Sequence, residues 1–311
     1  MQRTFRLASS LFLALLCHTA MAAELVLHPT QVAPDVYAVI GDLGGQTYEN
    51  EGLNSNLGFV VGADGILVIN AGPSPRVARA LHTAIKKISP KPIKWVVNVN
   101  AQSHYWLGND YFRKLGVPIL AHTAASRLMQ EMGVGQLQSL QGVLKEKAHA
   151  TQLAYPSETL DTQRTLQLGK TKIELLHFGS AHTEGDLVVW LPQQKILFTG
   201  DLAFTQRMLG VLPIGNSGGW VKAFDQAMAL QPRLIVPGHG KPTNQQTATK
   251  DTRDYLVLLR NAAQAVLAKN GSLQDAVAKT DQSKFKYLLN FDLLAKRNMN
   301  QVYTEMEREA Y

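Results

Sequence analysis

The sequence predicts an α/β sandwich, with β-sheets inside and helices on the outer faces. Apolar, β-branched runs of four or five residues alternate with segments of helical periodicity. The alternation recurs in two similar halves of the chain, the pattern of a layered α/β fold. The 311 residues, 45% hydrophobic and 18% charged, are ample for a buried core, and the composition is neither disordered nor fibrous.

Taken in order, Val36 to Ile40 reads as a strand, and Gly41 to Asn56 as a polar, glycine-rich loop long enough to be functional. Leu57 to Val61 and Ile66 to Ile69 form a hairpin around Gly62-Ala-Asp-Gly65. A helix follows near Arg76 to Ile88, with Val77, Leu81, Ala84 and Ile85 at helical spacing, and Pro90 ends it. Ile93 to Val97 is a strand, Val99 to Leu107 a loop, Gly108 to Leu115 a short helix, and Pro118 to Ala121 a strand. Residues 123–147 read as helical with a break at Gly133 to Gly135, and residues 164–177 as two strands around Gly169-Lys170. Leu187 to Leu191 and Ile196 to Thr199 are strands joined at Pro192 to Lys195. A helix over 219–230, a strand at Leu234 to Val236 and the loop Pro237-Gly-His239-Gly complete this part. From Gln246 the pattern is helical, interrupted near Asn270-Gly271 and at 281–284. The expected division is a signal peptide over 1–23, the sandwich over 24–245, and a C-terminal helical extension over 246–311 packed on it.

The signal-peptide expectation rests on Arg3 and Arg6, the apolar run Leu7 to Leu16, and an A-x-A cleavage site at Ala20-Met-Ala22. It implies export to a periplasm and a mature chain that starts at Ala23 or Glu24. The single cysteine, Cys17, lies inside this segment, so the mature chain would hold no disulfide and no thiolate ligand. No later apolar run reaches about 18 residues, which argues against a stable membrane anchor. The formal charge is +7, and removing Arg3 and Arg6 leaves +5. The remaining basic residues are scattered and not interleaved with aromatics, which speaks against a nucleic-acid partner.

The chemistry gathers around Gly179-Ser-Ala-His182-Thr-Glu-Gly-Asp186 and Thr199-Gly-Asp201. His182 stands just before one strand and Asp201 just after the next, so an antiparallel pair would bring both to one sheet edge. An imidazole and a carboxylate so placed can hold a divalent metal. Either residue alone could equally cap a turn.

With Pro237-Gly-His239-Gly downstream, this constellation resembles the second half of the metallo-β-lactamase fold, in which these three positions are metal ligands. The resemblance implies a four-layer αββα sandwich and covers most of residues 35–245. In the larger family the first metal loop reads H-x-H-x-D-H, two zinc ions are held, and the bridging hydroxide is the nucleophile. Here the loop reads Asn98-Val-Asn100-Ala-Gln102-Ser103-His104-Tyr105. Aligned without a gap, Asn100 and Gln102 replace the two histidines, His104 the aspartate and Tyr105 the last histidine. Shifted by one residue, Ser103-His104 takes the place of the aspartate–histidine pair. In either alignment one strong ligand remains, because zinc prefers imidazole to neutral amide oxygen. Asn70 stands where the family usually has a bracing aspartate. The metal candidates are therefore His104, His182, Asp201 and His239, enough for at most one tightly bound zinc or other divalent ion. Asn100, Gln102, Ser103, Tyr105, Asn70 and Asp186 are candidates for substrate contact or for support of the ligands.

Trp106-Leu-Gly-Asn109, Thr47-Tyr-Glu-Asn-Glu-Gly-Leu-Asn54 and Arg297-Asn298 to Tyr303 resemble a narrower periplasmic branch associated with sulfur oxidation or quinoprotein dehydrogenases. Two functions follow from the resemblance. One is a metal-dependent hydrolase that attacks an ester, thioester, lactone or amide of a small molecule through metal-bound hydroxide. The other is a non-catalytic binding or accessory protein with a vestigial metal site, partnered by periplasmic redox or sulfur-oxidation proteins. His122 reads as structural and His177 as a core histidine behind the site. Tyr48, Glu49, Asn54 and Asn56 belong to a loop that borders the groove in this fold.

Overall fold

The computed structural model describes residues 24–310. The expected signal segment, 1–23, lies outside the described residues. Seven strands make the first sheet: β1 (Thr30–Ala33), β2 (Val36–Val39), β3 (Leu57–Val61), β4 (Ile66–Ile69), β5 (Ile93–Val97), β6 (Ile119–His122) and β7 (Glu158–Leu160), hydrogen-bonded in that order. β1 to β4 are antiparallel neighbours, and β4 to β7 run parallel. The second sheet holds β8 (Gln163–Leu168), β9 (Thr171–Leu176), β10 (Val188–Leu191), β11 (Ile196–Phe204) and β12 (Leu234–His239), also in sequence order. Its strands are antiparallel except for the last pair.

Side-chain alternation creates the layers, because successive residues of a strand face opposite sides. In the first sheet Val60, Leu67, Ile69, Val97 and Leu120 face inward. They meet Leu175, Val189, Leu191, Phe198 and Val236 of the second sheet. The alternate residues Phe59, Val61, Ile66, Val68 and Val96 face outward and are covered by α1 (Pro75–Ile88) and by Phe112 of α3 (Asn109–Lys114). On the other side Val188, Trp190, Leu197 and Ile235 pack under α5 (Ser217–Ala229), and that layer continues into C-terminal helices. This is the four-layer αββα arrangement. Helix α1 starts where its sequence allows: Ser74 accepts from the Val77 N–H, Pro75 needs no donor partner, and Lys86 and Lys87 sit at the negative end of the helix dipole.

Several elements differ from the sequence expectation. The loop after β5 contains a helical turn, α2 (Ser103–Trp106). Helix α4 (Thr123–Leu144) is continuous through Gly133 and Gly135. Gly133 is there for packing, since a Cβ on it would stand 3.0 Å from the Trp106 ring. Strand β11 runs on through Asp201 to Phe204. The short edge strands β1 and β7 carry little apolar pattern and were not foreseen. C-terminal to α6 (Gln245–Ala248) come a π-helical stretch at Thr249–Arg253, α7 (Asp254–Leu267), α8 (Leu273–Lys279) and α9 (Phe291–Ala310). Among the described residues no helix is long and apolar enough to cross a membrane.

Candidate metal centre

The sheets converge at the carboxyl ends of β5, β11 and β12, the end at which open α/β folds place their ligands. The loop after β5 carries Asn100, Gln102 and His104. Three asparagines fix its course. Asn70, in a left-handed conformation (φ 67°), accepts the Val99 N–H on its side-chain oxygen at 3.0 Å. Asn98 and Asn109 exchange amide hydrogen bonds at 3.0 and 2.8 Å. Asn56 ties this half to the other: its amide donates to the carbonyls of Pro237 (2.8 Å) and Gly240 (2.7 Å).

Asp201 is the centre of the site and is fully buried. Its Oδ1 accepts from the Tyr105 hydroxyl at 2.6 Å, and its Oδ2 from the Asn100 amide at 2.8 Å. Three imidazoles face the same carboxylate. His239 Nε2 is 3.2 Å from Oδ1; His104 Nε2 and His182 Nε2 lie 3.5 and 3.6 Å from Oδ2. Donor atoms of His104, Asp201 and His239 all lie within 4.8 Å of one another. His182 sits beside this group with its Nε2 3.0 Å from Gln102 Oε1 and its ring edge-on to Trp220. Gly238 must be glycine, because a Cβ there would stand 2.5 Å from the Tyr105 hydroxyl and 2.6 Å from Asp201 Oδ1.

Burial lowers His182 and His239 to about 4, so both rings are neutral near pH 7. Burial alone would raise Asp201; the imidazoles of His239, His104 and His182 outweigh it and hold the carboxyl well below its ordinary range. Burial and the facing Asp201 push the Tyr105 phenol far up, so it stays protonated and donates. The His239 Nδ1–H donates to the Asn54 carbonyl at 2.6 Å, which leaves the Nε2 lone pair directed at a carboxylate oxygen. His104 Nε2 is buried without a hydrogen-bond partner. Imidazole nitrogens gathered on one carboxylate are the donor set a divalent cation takes, and imidazole with carboxylate suits zinc. The residues present therefore fit one metal ion.

The other residues singled out in the sequence fall into place around this core. Ser103 opens α2 and lines the cavity. Asp186 accepts from the Thr183 N–H (2.8 Å) and hydroxyl (2.6 Å), shaping the turn that presents His182, and burial raises it to about 7. His122 caps α4 by accepting from the Ala124 N–H and stacks on His177 at 3.9 Å. Sequence reasoning missed Arg207. It lies six residues past Asp201 with no local signal, yet its Nη1 is 3.2 Å from His239 Nδ1 and donates to the Gly44 carbonyl at 3.1 Å. A cavity of about 790 Å³ opens over the site between α4 and the 207–214 loop.

A family model described as "Metallo-beta-lactamase superfamily" matches residues 50–239. The chain is 24% identical over 210 residues to a "Metallo-beta-lactamase type 2" of Bacillus sp. (strain 170), covering 66% of this chain and 72% of that protein. It is 23% identical over 256 residues to one of Bacteroides fragilis, covering 77% and 90%. Among solved structures, a metallo-β-lactamase from Pontibacter korlensis superposes with a TM-score of 0.62 at 23% identity, over 74% of this chain and 99% of the other. DIM-1 metallo-β-lactamase superposes with a TM-score of 0.60 at 20% identity, over 75% and 98%.

Proposed function

The chain belongs to the metallo-β-lactamase superfamily, and from that premise we propose that it is a metal-dependent hydrolase with a single-metal centre held by His104, Asp201 and His239. His182 stands beside them as the fourth donor. The observation that carries this reading is the unpartnered, buried His104 Nε2 next to the opposed lone pairs of His239 and Asp201. Zinc, when bound, supplies Lewis acidity and lowers the pKa of a coordinated water towards ~7. The chain's own residues do the rest. Tyr105 and Asn100 hydrogen-bond the two oxygens of Asp201 and fix its plane, and the Asn54 carbonyl fixes the tautomer of His239. The cavity of about 790 Å³ over the site is of a size that suits the small ester, thioester, lactone or amide this reading calls for.

The test is a panel of chromogenic substrates of these four classes. Each is assayed with chelated protein, zinc-reloaded protein and the His239→Ala variant. Zinc-dependent turnover lost in the variant is the expected result; no turnover of any class with zinc bound overturns the hydrolase.

A second reading draws on a specific observation: both oxygens of Asp201 already receive a protein donor, from Tyr105 and Asn100. In this reading the site is vestigial and the protein is an accessory or binding factor for a sulfur-oxidation or quinoprotein system. Failure to bind zinc, with melting unchanged by chelator, favours it. We also propose export to the periplasm, tested by N-terminal sequencing of periplasmic material, which should start at Ala23 or Glu24.

A further inference from the structure

The stretch Lys284-Phe-Lys-Tyr-Leu-Leu-Asn-Phe-Asp-Leu-Leu-Ala-Lys-Arg297 runs from a 3-10 turn (Ser283–Phe285) into the first turns of α9. Its apolar residues divide into two sets. Phe285 and Leu288 are buried in the C-terminal core, Phe285 edge-on to Tyr255 at 4.9 Å. Tyr287, Leu289 and Leu293 face solvent and are 49%, 47% and 62% exposed. Among the described residues eight large apolar side chains stay this exposed, so three of them between positions 287 and 293 make a patch. Two more, Met132 and Val134, stand on α4.

The patch is firmly held. The Leu289 N–H donates to the Gln206 carbonyl (3.0 Å), and the Met208 N–H to the Leu289 carbonyl (2.8 Å). The Tyr287 hydroxyl donates to Asp251 Oδ1 at 2.7 Å, and the Gln206 N–H to Asp251 Oδ2 at 3.0 Å. Cations surround it. Lys284, Lys286, Lys296 and Arg297 are exposed, and Lys250 lies over the Tyr287 ring at 4.3 Å. Between 284 and 297 the only acid is Asp292, so four basic residues against one leave +3. Of the nearby acids, Asp251 is buried under the bonds just given, and Asp281 accepts the Ser283 N–H at 2.8 Å. Apolar tips ringed by lysine and arginine suit an anionic lipid surface: the tips enter the acyl boundary while the cations meet lipid phosphates. A protein partner suits the patch less well. Three half-exposed side chains offer well under the ~800 Å² per partner of a standard interface, whereas a bilayer takes up a few side chains at a time.

We propose that residues 284–297, with Lys250, dock the protein reversibly on the surface of an anionic phospholipid bilayer, and that Tyr287, Leu289 and Leu293 enter the headgroup layer. The contact is a surface wedge and not a span. It adjoins the cavity over the metal centre: Leu294, next to Leu293, lines that cavity, and the partly exposed Met132 lines it from α4. Docking therefore sets the cavity mouth beside the lipid. The inference stands whether or not the centre is hydrolytic.

The test is co-sedimentation of the full chain with vesicles of phosphatidylcholine alone and of equal parts phosphatidylcholine and phosphatidylglycerol. The wild-type chain should partition at least ~10-fold more strongly onto the anionic vesicles, and the preference should shrink as salt is raised. Two double variants separate the contributions. Lys284→Gln with Lys286→Gln should lower partitioning onto anionic vesicles at least ~10-fold, and Leu289→Ser with Leu293→Ser should do the same. All four side chains are exposed, so both variants should melt as the wild type does. Any lipid affinity of residues 1–23 is common to the three proteins and cancels in the comparison. No binding to anionic vesicles, equal binding to both compositions, or a preference that survives in either double variant overturns the proposal. Sedimentation velocity without lipid tests the competing occupant: a wild-type dimer that Leu293→Glu dissociates would make the patch a self-interface and overturn the lipid assignment.

Discussion

Replacing Asp186 by asparagine should stabilise the metal-free protein above neutral pH, although the residue is buried beside the site. Asp186 titrates at about 7 rather than 3.8, because burial disfavours its charge. Its folded pKa is raised, so the stability it contributes is complete below 3.8 and is lost as pH rises through about 7. At about 1.4 kcal/mol per pH unit the loss is about 4 kcal/mol. His182 and His239 act in the opposite sense. Their folded pKa is depressed to about 4 from 6.5, so their contribution is present above 6.5 and is lost as pH falls through about 4. That amounts to about 3 kcal/mol for each ring. From pH 7 down to pH 4 the wild-type chain thus loses about 6 kcal/mol through the two histidines and regains about 4 through Asp186. Its profile should be shallow. Asparagine mimics the protonated acid and can keep the Thr183 contacts, so Asp186→Asn removes the compensating arm alone. Urea unfolding in chelator from pH 4 to 8 should show the two stability curves meeting near pH 4. By pH 8 they should diverge, the variant being more stable by up to about 4 kcal/mol. The half-buried His82 and His122 titrate alike in both proteins and cancel. Parallel curves would refute the protonated state assigned to Asp186.

Metal analysis of purified protein should find at most one zinc per chain, removed or weakened by His239→Ala; two per chain would contradict the single site, since the Asn100 and Tyr105 positions offer no strong donor. Tyr105→Phe should cost about 1.5–3 kcal/mol in chelator, the worth of a hydrogen bond to a charged group, measured by urea unfolding. The same variant should weaken zinc roughly 10-fold in competition with a chromogenic chelator, because the ligand carboxylate loses its orienting partner. Asn298→Ala should destabilise by about 2–3 kcal/mol in urea unfolding, because it strips partners from the Val211 N–H and the Leu209 carbonyl together.

How much of this was legible depended on range. The layered fold follows from strand periodicity and was readable. So was the strand–turn–strand logic around His182 and Asp201, because it is local. The role of Asn100 was not, since its partner Asp201 lies 101 residues away. The same holds for Tyr105, which reads as a lost ligand and in the fold is a hydrogen-bond donor. Gly133 read as a helix break because a glycine costs a helix stability, yet the indole of Trp106 uses the space it leaves. Arg207 could not be read at all: its position is set by Asp251, Leu289 and Asn298, and nothing in Thr205-Gln-Arg207 announces a cavity.

The two sheets are sequential in the chain: β1 to β7 make one, β8 to β12 the other, and the crossing falls at Asp161-Thr162. His104 travels with the first half, Asp201 and His239 with the second. A backbone cut at that crossing would yield two fragments, neither owning a complete centre. Their reassociation would draw on the inter-sheet core, on the Asn56 bridge to Pro237 and Gly240, and on any cation that needs donors from both. The molecule is in this sense a ready-made split reporter, whose complementation should respond to zinc concentration.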